Sequence, residues 1–428
     1  MSFCGVSLAY DFPFITARTG DSSGASSAPR QSSDARYITY RNIQGSGGST
    51  VYRIIVKDLL LNTTRVLSTG FNEVSPPSIG RDGKYVAFFA SNGTQSALPY
   101  VIDVTNPSST VQTPPILTSI VLSALQLTWP PEVSDTIAGQ TTIAFQELNQ
   151  VILSNKPLTY RPKQILAWDL TTGFVNVASR TTSATYANGT CSQPVIDSSG
   201  LKIGYATFAT NLGTGTDGVQ HVVTAAKGTG WNTNTRISVT TAPCNWPAMD
   251  AAGRRIAYTW NSPTNSKVKE VYVNDTISGW NAIPYALAPF RPQGISPNQM
   301  TQEPAISPDG LIIGFRSFRM FANPGFQILD TYYVNGSPVE IGDLGDSIFT
   351  QGLPPIGSTT IGPIDVPSIQ SYSLETTRRA RSGGTISISN RYELPTEQRA
   401  IVFDSAADRI LNRSSYPLVS WIYRRTVL

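Results

Sequence analysis

Apolar and polar residues alternate along this chain in short runs rich in β-branched and aromatic side chains, and Gly, Pro, Asn and Asp interrupt them. That pattern predicts short strands joined by tight turns rather than helices. One local pattern recurs more than any other. A proline is followed five residues later by an Asp-Gly-like turn, and then by a β-branched pair ending in an aromatic residue. Four copies are clear: PSIGRDGKYVAF (Pro77 to Phe88), PVIDSSGLKIGY (Pro194 to Tyr205), PAMDAAGRRIAY (Pro247 to Tyr258) and PAISPDGLIIGF (Pro304 to Phe315). A fifth, PRQSSDARYITY (Pro29 to Tyr40), has Ala35 in the glycine slot, and a sixth, Pro130 to Phe145, carries about four extra residues in its turn. Each copy reads as a β-hairpin: a short inner strand, a turn whose Asp and Gly supply the needed backbone conformations, and a strand alternating inward apolar with outward polar residues.

A third strand follows each hairpin, as in VYRIIVKDL from Val51, ILAWDL from Ile165 and TYYVN from Thr331, and a fourth follows most, as in TRVLST from Thr64. Four antiparallel strands repeating every fifty to sixty residues or so are the signature of a propeller blade. The aromatic residue closing the second strand counts six units, at Tyr40, Phe88, Phe145, Tyr205, Tyr258 and Phe315. RAIVFDSAADRI (Arg399 to Ile410) supplies a seventh around Phe403, with SWIYRRTVL as its third strand. The expectation is therefore an all-β, seven-bladed propeller of four-stranded antiparallel blades, one domain over residues 1–428. Residues 12–20, carrying PFITARTG, complete the last blade, because lending a strand across the closure removes two unpaired edges. Six blades with a C-terminal appendage is the alternative. Phe315 and Phe403 lie 88 residues apart, which predicts a long insertion, placed at residues 345–384, between the sixth and seventh blades. Such an insertion is a functional loop or a clasp on a neighbour.

At these motifs the chain resembles the TolB-like propellers, whose repeats are similar to WD-type blades: a P-x-h-S-x-D-G turn, a V-A-F second strand and a V-x-D third strand. GRDGKYVAFFASN, ISPDGLIIGFRSF and ILAWDLTTG carry the likeness best. The resemblance implies a rigid platform for protein partners, and less often an enzyme or a glycan binder, since fold alone does not fix function.

Composition narrows this only in part. Hydrophobic residues make up 40% and charged residues 14%, with 34 Gly and 30 Pro, which again favours turns and strands. The net charge of +4 is spread along the chain, so nucleic acid is not expected as a partner. No apolar run is long enough to cross a bilayer as a helix. MSFCGVSLAYDFPFITAR lacks a charged leader and a continuous apolar core, so it reads as neither secretory signal nor anchor. The three cysteines (Cys4, Cys191 and Cys244) show no C-x-x-C spacing. Cys191 and Cys244 fall at matching places in neighbouring units, so they are either linked or, more plainly, two buried thiols.

Candidate chemistry is thin. The only histidine, His221, lies in a predicted strand and reads as structural, and no G-x-S-x-G elbow is present. Asp34, Asp82 and Asp309 hold the turn slot, where a short carboxylate bonds nearby amides. Asp197 and Asp250 replace the repeat serine in adjacent units and are candidates to face the channel and hold a cation or paired sugar hydroxyls. Trp246 and Trp260, with Trp231 and Trp280, cluster in the same two units, where they either stack on sugars or pack between sheets. The N-x-S/T sequons fit chance in a chain so rich in Asn, Ser and Thr. The expected function is a non-enzymatic structural or interaction module without a resident cofactor. It would belong to a larger protein assembly, such as a phage tail, a virion or a cell-surface complex, and self-association falls within that reading. A carbohydrate-binding or carbohydrate-active propeller with its site at the channel mouth is the alternative. A periplasmic partner-binding propeller is a weaker third.

Overall fold

The structure, a computed structural model, describes residues 24–45, 50–91, 97–114, 129–147, 162–212, 218–228, 230–238, 242–264, 269–279, 281–282 and 300–318. Beyond these it describes residues 332–334, 337–339, 347–352, 356, 370–372, 386–388, 399–405 and 421–427. Among the described residues every regular element is a strand. The first sheet takes β1 (Gly24–Gln31), β2 (Tyr37–Gln44), β3 (Val51–Asp58) and β4 (Thr63–Val66), each antiparallel to the next. In the second, the inner strand is split into β5 (Glu73–Val74) and β6 (Ser78–Ile79); both pair with β7 (Tyr85–Ser91), which pairs with β8 (Ala97–Asp103). The third has β9 (Glu132–Val133), β10 (Thr142–Gln146), β11 (Ile165–Asp169) and β12 (Val175–Val177). The fourth has β13 (Cys191–Ile196), β14 (Lys202–Thr207), β15 (His221–Ala226) and β16 (Thr233–Arg236), and the fifth β17 (Cys244–Met249), β18 (Arg255–Asn261), β19 (Lys269–Asp275) and β20 (Asn281–Ala282).

The sixth set of strands, joined to the fifth by a single parallel pair between Lys269 and Met300, begins with β21 (Met300–Ile306) and β22 (Ile312–Phe318), but its next strand is not the one expected at TYYVN. β23 (Tyr332–Val334) and β24 (Ser337–Val339) form a hairpin of their own, and β25 (Ser347–Gly352) with β26 (Gln370–Tyr372) completes the sheet. The stretch 345–384 thus contributes two strands to the sixth sheet, and the added chain containing β23 and β24 falls between β22 and β25. β27 (Ile386–Ile388), β28 (Arg399–Ser405) and β29 (Trp421–Val427) form a C-terminal sheet. β1 packs against all three of its strands. Among the described residues no strand pairs the first and C-terminal sheets, and the far edge of β29 is unpaired. The expected closing strand at 12–20 lies outside the described residues.

The repeat proline shapes the inner strands. It has no N–H to donate to the ladder, so the pairing skips there and a bulge forms. The register shifts at Ser27/Arg30, Ser192/Val195, Asn245/Ala248 and Gln302/Ala305. The residue before the proline takes a left-handed backbone at Ala28, Gln193 and Trp246, with φ of 53°, 56° and 53°.

The core lies between sheets rather than under one face. Val86, Phe88 and Ala90 of β7 pack toward the first sheet, whereas Ala87 and Phe89 of the same strand pack on the third. The sequence pattern predicts a second strand that is apolar inside and polar outside. Because each sheet is sandwiched between two neighbours, both faces of that strand are buried, and VAFFA is apolar throughout. Burying Phe88 and Phe89, each fully, contributes roughly 1.5–3 kcal/mol apiece.

The turns after the inner strands bond sheet to sheet. Ser33 N–H donates to the Arg81 carbonyl (2.7 Å), Asp135 to Ser198 (3.0 Å), Ser198 to Ala251 (2.8 Å) and Ala251 to Pro308 (2.8 Å). Between the second and third sheets, where the turn is longer, side chains substitute. Asp82 N–H donates to Asp135 Oδ1 (2.9 Å) and Thr136 N–H to Asp82 Oδ2 (2.7 Å). The turn glycines fit this belt for two reasons. At Gly83 φ is +73° and a Cβ would stand 2.7 Å from the Tyr37 ring of the preceding sheet; Gly200, at +69°, would meet Thr142 Oγ1 at 2.9 Å. The V-x-D aspartates cap the outer turns: Asp58 accepts from Leu60 and Leu61, Asp103 from Thr105 and Asn106, Asp169 from Thr171 and Thr172, and Asp275 from Ile277 and Ser278.

Candidate functional site at the axis of the inner strands

The belt turns the inner strands toward a shared axis, and the side chains leaving them there reach across it. Arg81, from the second sheet, donates from Nη1 to the Ile196 carbonyl of the fourth (3.0 Å) and from Nη2 to the Met249 carbonyl of the fifth (2.8 Å). Arg30 of the first sheet pairs with Glu132 of the third at 3.5 Å. Burial pushes the Glu132 carboxyl above the usual range, against the pull of Arg30 and Arg81. Trp129, leading into the third sheet, donates its indole N–H to the Pro194 carbonyl (2.8 Å) and meets the Trp246 ring edge-on at 5.1 Å. The backbone N–H of Trp246 in turn donates to Gln193 Oε1 (2.8 Å). Both indoles are half-buried.

The four residues expected to form a site take separate places. Asp197 closes its own turn, accepting Leu201 N–H (2.9 Å) and Lys202 N–H (3.0 Å) on Oδ1 and the Ser199 hydroxyl on Oδ2. Asp250 does the same one sheet on, accepting Arg254 N–H (2.7 Å) and Arg255 N–H (3.1 Å), although its Oδ2 has no hydrogen-bond partner. Trp260 packs in the layer between the fourth and fifth sheets, against Tyr272 at 6.2 Å. Only Trp246 stands at the axis. Trp231 is buried between the third and fourth sheets, and Trp280 lies outside the described residues. Asp34, Asp82 and Asp309 bond the amides of Arg36, Lys84 and Leu311 in their turns.

His221 is fully buried, with Arg236 Nη2 2.9 Å from its Nδ1. Cys191 and Cys244 are free and buried, and burial pushes both thiols up to about 12. Among the described residues no three His, Cys, Asp or Glu side chains gather in a metal-holding group.

Arg30, Arg81, Trp129, Glu132 and Gln193 were not singled out from the sequence, though a signal was there. The backbone bonds of the third turn, Ser134 N–H to the Thr142 carbonyl, match Asp197 to Lys202 and Asp250 to Arg255. The repeat proline of the third unit is therefore Pro131, not Pro130. With that register Glu132 and Arg30 share one repeat position, held in the other units by Ser78, Val195, Ala248 and Ala305. Two opposite charges in a slot otherwise small or apolar mark a specific contact.

No family model matches the chain, and no curated protein matches it. Solved structures do. TolB from Acinetobacter baumannii matches at 18% identity and a TM-score of 0.37 over 59% of this chain and 52% of that one, so the chain spans about half the length of that TolB. The β-propeller domain of the Trilobed protease from Pyrococcus furiosus matches at 10% identity and a TM-score of 0.47, over 90% of this chain and 89% of that one. An oligogalacturonate lyase in complex with manganese matches at 10% identity and a TM-score of 0.50, over 95% and 90%. At such identities the likeness bears on fold alone. With the series of sheets described above, the lyase match supports a β-propeller fold and leaves activity open.

Proposed function

We propose that this chain is a non-enzymatic interaction scaffold, a seven-bladed propeller that works as one component of a larger protein assembly. The bracing of the axis carries the reading. Arg81, Trp129 and Gln193 each use a polar group to hold one sheet to another. The two turn carboxylates likewise hold their own turns rather than facing a substrate. A brace of this kind suits a rigid body that offers broad end faces to partners. Purification from the native source, with mass measurement and identification of co-travelling chains, tests it. A monodisperse monomer in the presence of every native partner sinks it, and the same purification decides between a virion and a cell-surface complex.

The six hairpin sheets plus β27–β29, which lie beside β1, support a count of seven blades. In this reading residues 12–20 pair with the far edge of β29. Hydrogen exchange tests the closure: the β29 amides that point away from β28 are protected in the full chain and lose protection when residues 1–20 are removed. Protection that survives the deletion ends the closure reading.

The half-buried Trp129 and Trp246 rings beside the Gln193 amide favour one alternative, a carbohydrate site at that mouth of the channel, since indoles stack on sugar faces and amides bond hydroxyls. A glycan array followed by Trp246→Ala separates the two. Absence of binding to any glycan removes the alternative.

A further inference from the structure

The turns that carry the belt and the turns between third and fourth strands open on the same end of the molecule. Backbone bonds tie them together in five sheets: Leu59 N–H to Arg36, Val104 to Lys84, Leu170 to Thr141, Lys227 to Leu201, and Thr276 to Arg254. This end also collects apolar side chains. Among the described residues, seven of the eleven exposed large apolar side chains stand on these turns, including Leu60 (73% exposed), Phe174 (65%) and Ile277 (64%) at the outer rim and Leu201 nearer the axis. Single exposed apolar residues need no explanation, whereas a set sharing one plane marks a contact surface.

Among the described residues of the first five sheets, the charges on this end are divided. Once the Arg36–Asp58 and Lys227–Asp169 ion pairs are set aside, the first three sheets show Asp34 and Asp82 exposed and Asp103 and Asp135 half-buried, against half-buried Lys84 and Arg65. The fourth and fifth sheets show Lys202 and Arg254, and Arg81 adds its guanidinium to their carbonyls. Their own turn carboxylates, Asp197, Asp250 and Asp275, are buried.

We infer that this end is a self-association surface on which two copies of the chain meet face to face. A two-fold axis through the face sets the acidic sheets of one copy opposite the basic sheets of the other, while the apolar tips cover each other. An anionic lipid surface fits less well, because Leu60 and Phe174 stand on the acidic side. The inference rests on the scaffold reading and names one of its partners, a second copy.

The test is sedimentation of the purified full chain across the micromolar range at low and high salt. A dimer is expected, weaker at high salt. The double variant Phe174→Glu/Ile277→Glu weakens association by about tenfold or more with an unchanged melting temperature, and Arg254→Glu weakens it at low salt more than at high salt. A chain that is monomeric at every concentration overturns the inference, as does a dimer indifferent to these variants. So does a monomer that binds phosphatidylserine-containing vesicles through the same tips. If the monomer still occurs in the native assembly, the self-association falls and the scaffold reading stands; if no partner is found for a chain that dimerises, the reverse holds.

Discussion

Asp197 and Asp250 occupy the same place in successive sheets, yet only one is fully bonded. Asp197 uses both oxygens, Oδ1 on two amides and Oδ2 on the Ser199 hydroxyl. The residue matching Ser199 in the fifth sheet is Ala252, and Asp250 Oδ2 is left without a partner in a fully buried residue. Burial accordingly pushes the Asp250 carboxyl above the usual range, even though the amides of Arg255 and Arg254 and the charge of Arg81 pull it down. Ala252→Ser restores the missing donor. A hydrogen bond to a charged group is worth about 1.5–3 kcal/mol; position 252 is exposed, so the serine hydroxyl exchanges a bond to water and about 1 kcal/mol is expected. The converse change, Ser199→Ala, costs about 1–3 kcal/mol by leaving Asp197 Oδ2 unpaired. The sign with pH follows. A carboxyl raised in the folded state contributes stability that is present below its unfolded pKa and lost as pH rises through the folded value. Serine draws that value down, so its gain appears at neutral pH and fades toward about pH 4, where the folded acid takes up its proton, and is gone below the unfolded value. Urea denaturation at the two pH values measures this. An equal gain at both, or a loss at neutral pH, refutes the reasoning.

Arg255 and Asp275 form an ion pair whose side chains are fully buried, and Arg255 also donates to the Gly310 carbonyl of the sixth sheet. Arg255→Met strands the carboxylate and should cost about 3–5 kcal/mol in urea denaturation; a cost under about 0.5 kcal/mol contradicts the pair's role. Asp58 is held below the usual range because, although burial raises it, the Arg36 hydrogen bond and the amides of Leu61 and Leu60 outweigh burial. Its stabilisation is present above the unfolded pKa and lost as pH falls through the lowered folded value, so Asp58→Asn should flatten the acid limb of stability against pH, and an unchanged limb argues otherwise. Arg81→Ala unpairs carbonyls in two sheets and should cost about 1–3 kcal/mol; a variant as stable as the parent means the axis is not braced there. In a Cys4→Ser background, Cys191 and Cys244 should resist a thiol reagent at neutral pH until urea unfolds the chain, and rapid labelling of the native protein would show that they are reachable.

The hairpins were legible because a turn glycine, a proline and a closing aromatic each answer to local rules, and six copies at near-even spacing reinforce one another. The third strand of the sixth sheet was not, since YYV and IFT are equally good strands and only pairing with β22 chooses between residues 332–334 and 347–352. Asp197 and Asp250 stand out in the repeat, but a turn-capping oxygen and a ligand-facing oxygen look alike in sequence. The axis residues escaped for a different reason. Trp129 meets Trp246, and Arg81 meets Met249, from sheets that are not neighbours in the chain, so no periodicity connects them. A one-residue error in placing the repeat proline then hid the match between Arg30 and Glu132.

Outside the junction of the second and third sheets, the belt of turn bonds runs one way, each sheet donating to the next through backbone atoms, which is why Ser33, Asp135, Ser198 and Ala251 all serve. Its last acceptor is Pro308. A proline has no N–H to pass on, so the relay stops at the sixth sheet. The junction that follows, between β21 and the C-terminal sheet, therefore cannot carry this backbone bond. Once the ring is opened, the molecule pulled from its two termini should part there before it parts at the five junctions that precede it.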